Sequence, residues 1–314
     1  MTEPVHVSVL AAEILAGLDP QPGQIIVDGT VGVGGHTKLL AERIGPSGMV
    51  IGLDQDPNML TFARARLGGL PVRLVHANFE NFADVLQELQ VGAIDAFLCD
   101  LGFCSDQIGN PARGFSFQHD GPLDMRLDPT SGEPASDLVR RLPEKELADL
   151  IYQYGEERLS RRIAKVIVEA RKSSPIETTR QLAELVRRCV PRSKGSHIDP
   201  ATRTFQALRI AVNDELGALE RLLVALPEFL KPGGLAAIIS FHSLEDRMVK
   251  RAFRVAETWQ VVTRKPIMAS DDEIAVNPRS RSAKLRIARK FDPSLPSGKP
   301  RWPKHVDEDD DEED

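Results

Sequence analysis

The stretch VDGTVGVGGH, residues 27–36, decides the fold together with Asp54, the acid that ends the next apolar run. The short apolar run at 25–27 is typical of a strand buried in a parallel sheet. The glycines after it allow the chain to turn sharply and to approach a ligand closely. A helix beginning near His36 would direct its free backbone amides at that ligand. Because a carboxylate at the end of the next strand can accept both hydroxyls of a ribose, the pattern predicts a ribose-bearing cofactor.

The position of Asp28 indicates which cofactor this turn would bind. Dinucleotide enzymes carry Gly-x-Gly-x-x-Gly directly at the strand end, where a pyrophosphate rests on the helix N-terminus. Here an acid precedes the glycines, and its carboxylate would repel a pyrophosphate but could accept hydrogen bonds from an ammonium group. The pattern therefore favours the amino-acid end of S-adenosyl-L-methionine. A tight structural turn without a ligand is the alternative.

The remaining pattern predicts an α/β fold with a parallel sheet and a helical insertion. Strands are expected at 25–27, 49–53, 72–75 and 93–99, with helices at 37–44, 57–67 and 82–89 between them. A long loop at 101–135 and helical periodicity up to about residue 190 follow. The α/β pattern then resumes with a helix at 201–226, a strand at 235–239 and a helix at 244–256. The LKPGG stretch at 230–234 is expected to end a helix and turn into that strand, as in methyltransferases of this fold.

The charge of the chain is unevenly distributed. The net charge of the 314 residues is −6, but the last eight residues, 307–314, are all acidic, so the rest of the chain carries +2. Between residues 158 and 210, thirteen Lys and Arg stand against four Asp and Glu. Such a concentration of cations is typical of a surface that binds a phosphate backbone, although a solvated basic helix face has the same composition.

Nothing in the sequence predicts export, a membrane partner or a metal site. No apolar run approaches the ~20 residues of a membrane span, and the start, MTEP, lacks the regions of a signal peptide. Cys99, Cys104 and Cys189 are too few and too irregularly spaced for a disulfide framework or a zinc site. We therefore expect a cytoplasmic protein without a structural metal.

Polar residues follow the predicted strands at the edge where an open parallel sheet binds ligands. Asp100 follows the fourth strand, and the glycine at 102 would permit close approach of a substrate. His242 follows the fifth strand. Either side chain could instead be a structural hydrogen-bonding group, Asp100 as a loop cap and His242 within the fold.

The loop at 113–126 interleaves aromatic rings with cations. A base turned out of an RNA strand could stack on Phe115 or Phe117 while Arg113 or Arg126 contacts a phosphate. Both phenylalanines could equally fill an apolar core. Further along the chain, Arg203 could contact either RNA or internal carboxylates.

Together these stretches resemble the ribosomal RNA small-subunit methyltransferase H family. The resemblance covers nearly the whole chain except the acidic tail, with departures from the family's usual residues at Cys104, Asp106 and Asp199. The motifs that carry it are DGTVGVGGH, LDQDP, DLGFCSDQ, RGFSFQHDGPLDMRLD, YGEER, PATRTFQALRIAVNDEL, LKPGG and ISFHSLEDR.

The resemblance implies a Rossmann-like class I methyltransferase with an inserted helical substrate-recognition domain. The methyltransferase domain would comprise 1–104 and 206–295, the RNA-recognition insert 105–205, and an acidic tail expected to be disordered 296–314. The implied cofactor is S-adenosyl-L-methionine. By motif match, its contacts would be Gly34, Gly35, His36, Asp54, Phe79, Asp100 and Gln107.

The resemblance also implies the reaction and the partner. The family methylates the exocyclic N4 amine of a cytidine in the decoding region of small-subunit ribosomal RNA, so the partner would be that RNA within a ribosomal subunit. Whether the chain forms a homodimer is left open by the sequence. Such an amine is a poor nucleophile, and Asp100 is expected to orient it and to disperse its developing positive charge.

Two other functions are compatible with parts of the pattern. One is an RNA-binding ribosome assembly factor without turnover, which would transfer no methyl label. The other is a nicotinamide-dependent oxidoreductase, which would bind a dinucleotide in place of S-adenosyl-L-methionine.

Overall fold

The computed structural model describes residues 8–190 and 199–295, which belong to two compact units. The first unit is formed by Met1–Gly102 with Ala218–Asp314, and the second by Phe103–Gly217. The predicted acidic tail at 296–314 lies outside the described residues, as do residues 191–198 of the basic stretch.

The first unit begins with alternating helices and strands. In chain order these are α1 (Ala11–Leu18), β1 (Ile25–Asp28), α2 (Gly35–Ile44), β2 (Met49–Asp54), α3 (Pro57–Arg66), β3 (Val72–His76), α4 (Phe82–Glu88) and β4 (Ile94–Asp100). The second unit contains α5 (Ser105–Gly109), α6 (Ala135–Arg141), α7 (Glu144–Gly155), α8 (Ser160–Ala170), α9 (Thr179–Cys189) and α10 (Thr202–Asn213). Helix α11 (Glu215–Phe229) leads back to the first unit, which ends with β5 (Leu230–Ser240), α12 (Ser243–Ala252), β6 (Trp259–Val261), α13 (Asp271–Val276) and β7 (Lys284–Lys290).

The seven strands form one sheet in the order β3-β2-β1-β4-β5-β7-β6. The first five strands are parallel, and β7 runs antiparallel to both β5 and β6. The strand order reverses between β1 and β4, which is the switch point where such sheets bind ligands at the carboxyl edge. The predicted Rossmann-like α/β fold is thereby confirmed.

Both faces of the sheet are covered by apolar side chains. Along β1 and β2, Ile26 and Val50 belong to one buried cluster, while the next residues, Val27 and Ile51, belong to another. Successive side chains of a strand point to opposite faces, so two covered faces require the continuous apolar runs seen in the sequence. The second unit has its own core of helix residues, including Ile151, Ile163 and Leu182.

The predicted helix at 201–226 is wrong, because the chain breaks at Asp214, whose φ of 47° is left-handed. The two resulting helices are α10 and α11. Phe205 and Leu208 of α10 are buried in the core of the second unit, which therefore extends to Gly217, beyond the predicted boundary at residue 205. The LKPGG stretch follows the end of α11 as expected, and its turn is a bulge within β5. Leu230 pairs with Ile94 but Leu235 with Ala96, and the φ of Gly233 between them is 78°.

Five of the labelled elements escaped the sequence analysis: α1, α5, α13, β6 and β7. Strand β7 contains alternating cations and apolar residues, and its arginines obscure the apolar pattern. None of the helices in the described ranges combines the length and apolarity needed to cross a bilayer.

Gly52 in β2 allows the glycine-rich turn to pack directly on the sheet. A Cβ at this position would lie 2.5 Å from Cγ2 of Val31 and 3.0 Å from Cδ2 of Leu74. Distances this short require the turn or the neighbouring strand to move. Because residue 52 has no side chain, residues 29–35 can pack directly against the sheet.

We expect Gly52→Ala to lower the free energy of unfolding by about 1–3 kcal/mol, because a methyl group is forced against Val31 in a filled core. Urea unfolding measures this. Gly92→Ala is the matched control, since a Cβ there meets no atom within 4 Å, and it should change stability by no more than about 0.5 kcal/mol. Equal stability of the two variants would contradict the close approach.

Candidate active site

The turn between β1 and α2 is held against the ends of both neighbouring strands. The Gly29 amide donates to the Leu98 carbonyl of β4 at 2.8 Å, and the Val31 amide donates to the Leu53 carbonyl of β2 at 2.9 Å. Helix α2 then begins after Gly34, whose φ of 88° is left-handed, and no side chain caps its first amides. Gly34 and Gly35 therefore leave a helix N-terminus that can receive an anionic group.

Asp28 holds this turn together. Its carboxylate accepts the Thr37 hydroxyl at 2.6 Å and the Thr30 amide at 3.1 Å, and the residue is 1% exposed. Burial raises the pKa of Asp28, while the hydroxyl bond acts in the opposite direction. Each oxygen therefore already has one partner within the fold, and acceptance of a ligand ammonium group by Asp28 stays a prediction.

Asp54 lies where the sequence placed it, at the carboxyl end of β2. One carboxylate oxygen accepts the Gly32 amide at 2.7 Å and the other accepts the Asp56 amide at 2.8 Å. Burial raises the pKa of Asp54 to about 6, although the two amide bonds favour the ionised form. Each oxygen has a further lone pair, so the carboxylate can also accept the hydroxyls of a ribose.

Asp100 ends β4 and meets His36 from the first turn of α2. Nε2 of His36 lies 3.6 Å from Oδ2 of Asp100, and the two side chains are 6% and 17% exposed. The Asp100 amide donates to the Thr30 hydroxyl at 2.7 Å, which fixes the backbone where β4 ends. The carboxyl edge of the sheet thus brings Asp100 and His36 together beside the glycine turn.

Several buried polar atoms at this edge lack hydrogen-bond partners among the described residues. They are both ring nitrogens of His36 and Oδ1 of Asp100. Buried polar groups are nearly always hydrogen-bonded in folded proteins, so such atoms indicate a missing ligand. A ligand with an ammonium group and a carboxylate would satisfy them, and the residues present therefore fit the amino-acid part of S-adenosyl-L-methionine.

Phe79 lies in the short helical segment Phe79–Asn81 that follows β3, at the same edge of the sheet. The residue is 8% exposed and packs in the apolar cluster that includes Phe82 and Phe97. The Ala77 amide, just before this segment, donates to the Asp54 carbonyl at 3.1 Å. Phe79 therefore follows a strand end adjacent to the predicted ribose acceptor, and its contact with an adenine stays a prediction.

Gln107 belongs to the second unit, where its carboxamide caps α5. Its Oε1 accepts the Cys104 amide at 2.9 Å, and the residue is 5% exposed. A role of Gln107 toward a methyl donor stays a prediction.

The predicted RNA-contacting arginines have partners inside the second unit. Arg113 donates to the carbonyls of Arg126 and Leu127, both at 2.9 Å. Arg126 forms two hydrogen bonds of 2.8 Å to the carboxylate of Asp124. Arg203 donates to the Glu156 carbonyl at 3.2 Å and is exposed. The bonds of Arg113 and Arg126 hold the long loop in shape, and phosphate contacts of the three arginines stay predictions.

The two loop phenylalanines stack on neighbouring rings. Phe115 lies parallel to Phe103 with ring centroids 5.4 Å apart, and Phe117 meets Phe205 edge-on at 4.9 Å. Both rings pack against the core of the second unit yet remain partly exposed. The structure thus supports the core interpretation, while stacking of an RNA base on these rings stays untested.

His242 caps α12 instead of standing free at the end of β5. Its Nδ1 accepts the Glu245 amide at 3.4 Å, and Glu245 in turn accepts the amides of Phe241 and His242. This reciprocal arrangement is a capping box. Nε2 of His242 is buried without a hydrogen-bond partner among the described residues, and its contact with a substrate stays a prediction.

The sequence analysis missed two hydroxyl residues of the site, Thr30 and Thr37. Thr30 fixes the amide of Asp100, and Thr37 fixes the carboxylate of Asp28. The available signal was a short hydroxyl side chain inside the glycine turn and another one turn into α2. Such residues commonly bond local backbone and acids at strand ends.

The comparisons with known proteins agree with this geometry. The model of the MraW methylase family matches residues 3–291. The chain is 50% identical over 307 residues to the ribosomal RNA small subunit methyltransferase H of Geotalea uraniireducens (strain Rf4), covering 91% of this chain and 98% of that protein. It is 52% identical over 288 residues to the protein of the same name from Deinococcus deserti, covering 91% and 93% of the two chains. With its sheet order, its glycine turn and these matches, the chain belongs to the MraW methylase family.

Proposed function

We propose that this protein transfers a methyl group from S-adenosyl-L-methionine to the exocyclic N4 amine of a cytidine in the decoding region of small-subunit ribosomal RNA. The observation that supports the proposal is the pair of the half-buried Asp100 and the buried His36 beside the glycine turn, with polar atoms that have no partner among the described residues. The relatives' name, ribosomal RNA small subunit methyltransferase H, supports the RNA substrate. We further propose that the protein acts in the cytoplasm, on RNA within a ribosomal subunit.

The first task of the site is to hold the donor. Asp54 would accept the ribose hydroxyls, the first amides of α2 would receive the carboxylate, and the buried face of Phe79 would border the adenine. When bound, the donor supplies an electrophilic methyl group on a sulfonium.

The second task falls to Asp100, which would accept a hydrogen bond from the exocyclic amine. This bond turns the lone pair of the amine out of conjugation with the ring and toward the methyl group. The carboxylate also stabilises the positive charge that develops on the nitrogen. The proton released by that nitrogen can pass to Asp100, and His36 lies 3.6 Å from the same carboxylate.

The RNA would be held by helix α8 and the residues that flank it. Arg158, Arg161, Arg162 and Lys172 are exposed and form no ion pair within the described ranges. Arg161 and Arg162 lie in the first turn of α8, while Arg158 precedes the helix and Lys172 follows it, so the four cations are spread along its length, as suits a phosphate backbone. The buried face of α8, with Ile163 and Ile167, anchors this surface to the core.

The proposed reaction is tested by incubating small ribosomal subunits with donor carrying an isotopically labelled methyl group, followed by mass spectrometry of the nucleosides. We expect the label in N4-methylcytidine. In Asp100→Asn, kcat should fall by about 100-fold or more, because the uncharged amide neither stabilises the positive charge on the nitrogen nor takes up its proton.

Asp95→Asn is the matched control at the opposite end of β4. Asp95 accepts the Ile25 amide and pairs with Lys231 at 2.8 Å, so its loss should reduce stability but leave kcat unchanged. Label on another nucleoside would refute the assigned base, and no label at all would favour an assembly factor without turnover. Full activity of Asp100→Asn would refute its catalytic role.

The affinity for the donor should depend on pH through Asp54. Since the pKa of this acid is raised to about 6, the carboxylate is ionised above that pH and becomes protonated as pH falls through it. We expect the donor to bind about tenfold more weakly at about pH 5 than at about pH 7, because a protonated acid accepts hydrogen bonds poorly. Isothermal titration calorimetry across this range measures the effect.

Asp54→Asn should bind the donor weakly at every pH in this range, and its affinity should show no transition with a midpoint near pH 6. Asp84→Asn, which changes an exposed acid on α4, should keep the wild-type pH profile. An unchanged midpoint in Asp54→Asn would assign the titration to another group.

The role of α8 predicts salt-dependent RNA binding. Replacing two phosphate-contacting arginines, as in Arg161→Gln with Arg162→Gln, should reduce the slope of log affinity against log salt by about 1.4 for single-stranded RNA. Fluorescence anisotropy with an RNA fragment measures the slope. Arg64→Gln with Arg66→Gln, in the last turn of α3, is the control and should leave the slope unchanged. Equal slopes in all three proteins would remove α8 from the RNA interface.

A further inference from the structure

The described chain ends beside the end of helix α12. The Phe291 amide donates to the Thr258 carbonyl at 2.8 Å. Trp259, the next residue, packs against Phe253, which directly follows α12, with ring centroids 5.1 Å apart. The segment that continues beyond Leu295 therefore starts in the neighbourhood of the C-terminal end of this helix.

Helix α12 and the turn after it carry a row of exposed cations. Arg247, Arg251 and Arg254 follow one another at intervals of four and three residues, so they lie along one side of the helix. All three are exposed, and Lys250 beside them is half-buried. Within the described part of the chain, Arg251 and Arg254 form no ion pair or side-chain hydrogen bond. We call Arg247, Arg251 and Arg254 the α12 cation row.

The acids near the end of α12 are bonded elsewhere or exposed. Glu245 accepts two amides in the capping box, and Asp246 accepts Nε of Arg286 at 2.6 Å. Glu257 is exposed in the following turn. Arg251 and Arg254 therefore form an exposed cationic surface at the end of α12.

We propose that the acidic C-terminal residues 307–314 dock on the α12 cation row of their own chain. The charges are complementary, since all eight of these residues are acidic. The eleven residues at 296–306 can span up to about 36 Å, whereas a ten-residue helix such as α12 is about 15 Å long, so the acids can reach the whole row from Leu295.

This docking would place a polyanion of the protein where an RNA phosphate could otherwise bind. Single exposed ion pairs are weak, and several pairs that form together are needed for a measurable interaction. Because exposed charges are screened within roughly 10 Å at about 0.1 M salt, the docked state should dominate only at low to moderate ionic strength. The inference goes beyond the proposed methylation and does not depend on it.

Photo-crosslinking in the full-length protein tests where the acidic residues lie. A benzophenone amino acid is placed at Asp310, and crosslinked peptides are mapped by mass spectrometry. We expect intramolecular crosslinks to residues 247–257 at about 50 mM salt and their loss at about 0.5 M salt. Arg251→Glu with Arg254→Glu should abolish them. Crosslinks to α8 or α9, crosslinks only between two chains, or crosslinks that survive the charge reversal would each overturn the proposal.

Arg64→Glu with Arg66→Glu is the matched control for the crosslinking. These two arginines end α3, beside the edge strand β3, while α12 joins β5 to β6 at the opposite edge of the same sheet. The control should keep the crosslinks to residues 247–257. If it abolished them as completely as the α12 reversal does, net charge and not docking would explain the contact, and the proposal would fail.

A binding cycle supplies a second readout that is independent of methylation. Replacing the eight acids at 307–314 by Asn and Gln should raise the affinity for an oligouridine strand about threefold at low salt, since the α12 cation row becomes available. In a protein that already carries Arg251→Gln and Arg254→Gln, replacing the eight acids should leave the affinity for oligouridine unchanged. An equal gain in both backgrounds would indicate long-range repulsion by the acids and would overturn the docking.

Discussion

The site depends on how the glycine-rich turn after β1 is held between two strand ends. Asp54 of β2 accepts the Gly32 amide on one side, and Thr30 accepts the Asp100 amide of β4 on the other. These bonds join three strand ends of one parallel sheet through residues 29–35, four of which are glycine. Because the sheet is rigid and buried on both faces, the acids that end β2 and β4 keep a fixed spacing across the turn.

The same bonds explain why buried acids are tolerated at this edge. Asp28 receives two hydrogen bonds, from the turn and from α2, and Asp54 receives one from the Gly32 amide of the turn and one from the Asp56 amide that follows β2. These bonds offset part of the cost of burying the two acids. Asp100 and His36 differ, because Oδ1 of Asp100 and both ring nitrogens of His36 have no hydrogen-bond partner among the described residues. The fold thus satisfies the acids that end β1 and β2, whereas Asp100 and His36 keep atoms that a ligand can bond.

The sequence predicted the parallel strands, the glycine turn and the positions of Asp54 and Asp100, because apolar runs and strand-end acids are local signals. It failed where a side chain has a partner within the fold that no local pattern reveals. The bond of Asp28 to the Thr37 hydroxyl and the pairing of Arg126 with Asp124 give both residues structural roles that the sequence analysis did not assign. The break at Asp214 was missed because a single left-handed residue leaves the apolar periodicity on both sides intact.

The second unit is inserted in the crossover between two neighbouring strands, β4 and β5, and α11 alone completes the return to the sheet. A right-handed crossover needs only one helix to connect parallel strands. The pairing of β4 with β5 therefore does not restrict the length of the segment inserted between β4 and α11. Evolution could therefore exchange or enlarge the inserted unit while the sheet and its glycine turn remained unchanged. The break at Asp214 marks a natural junction for constructing such chimaeras.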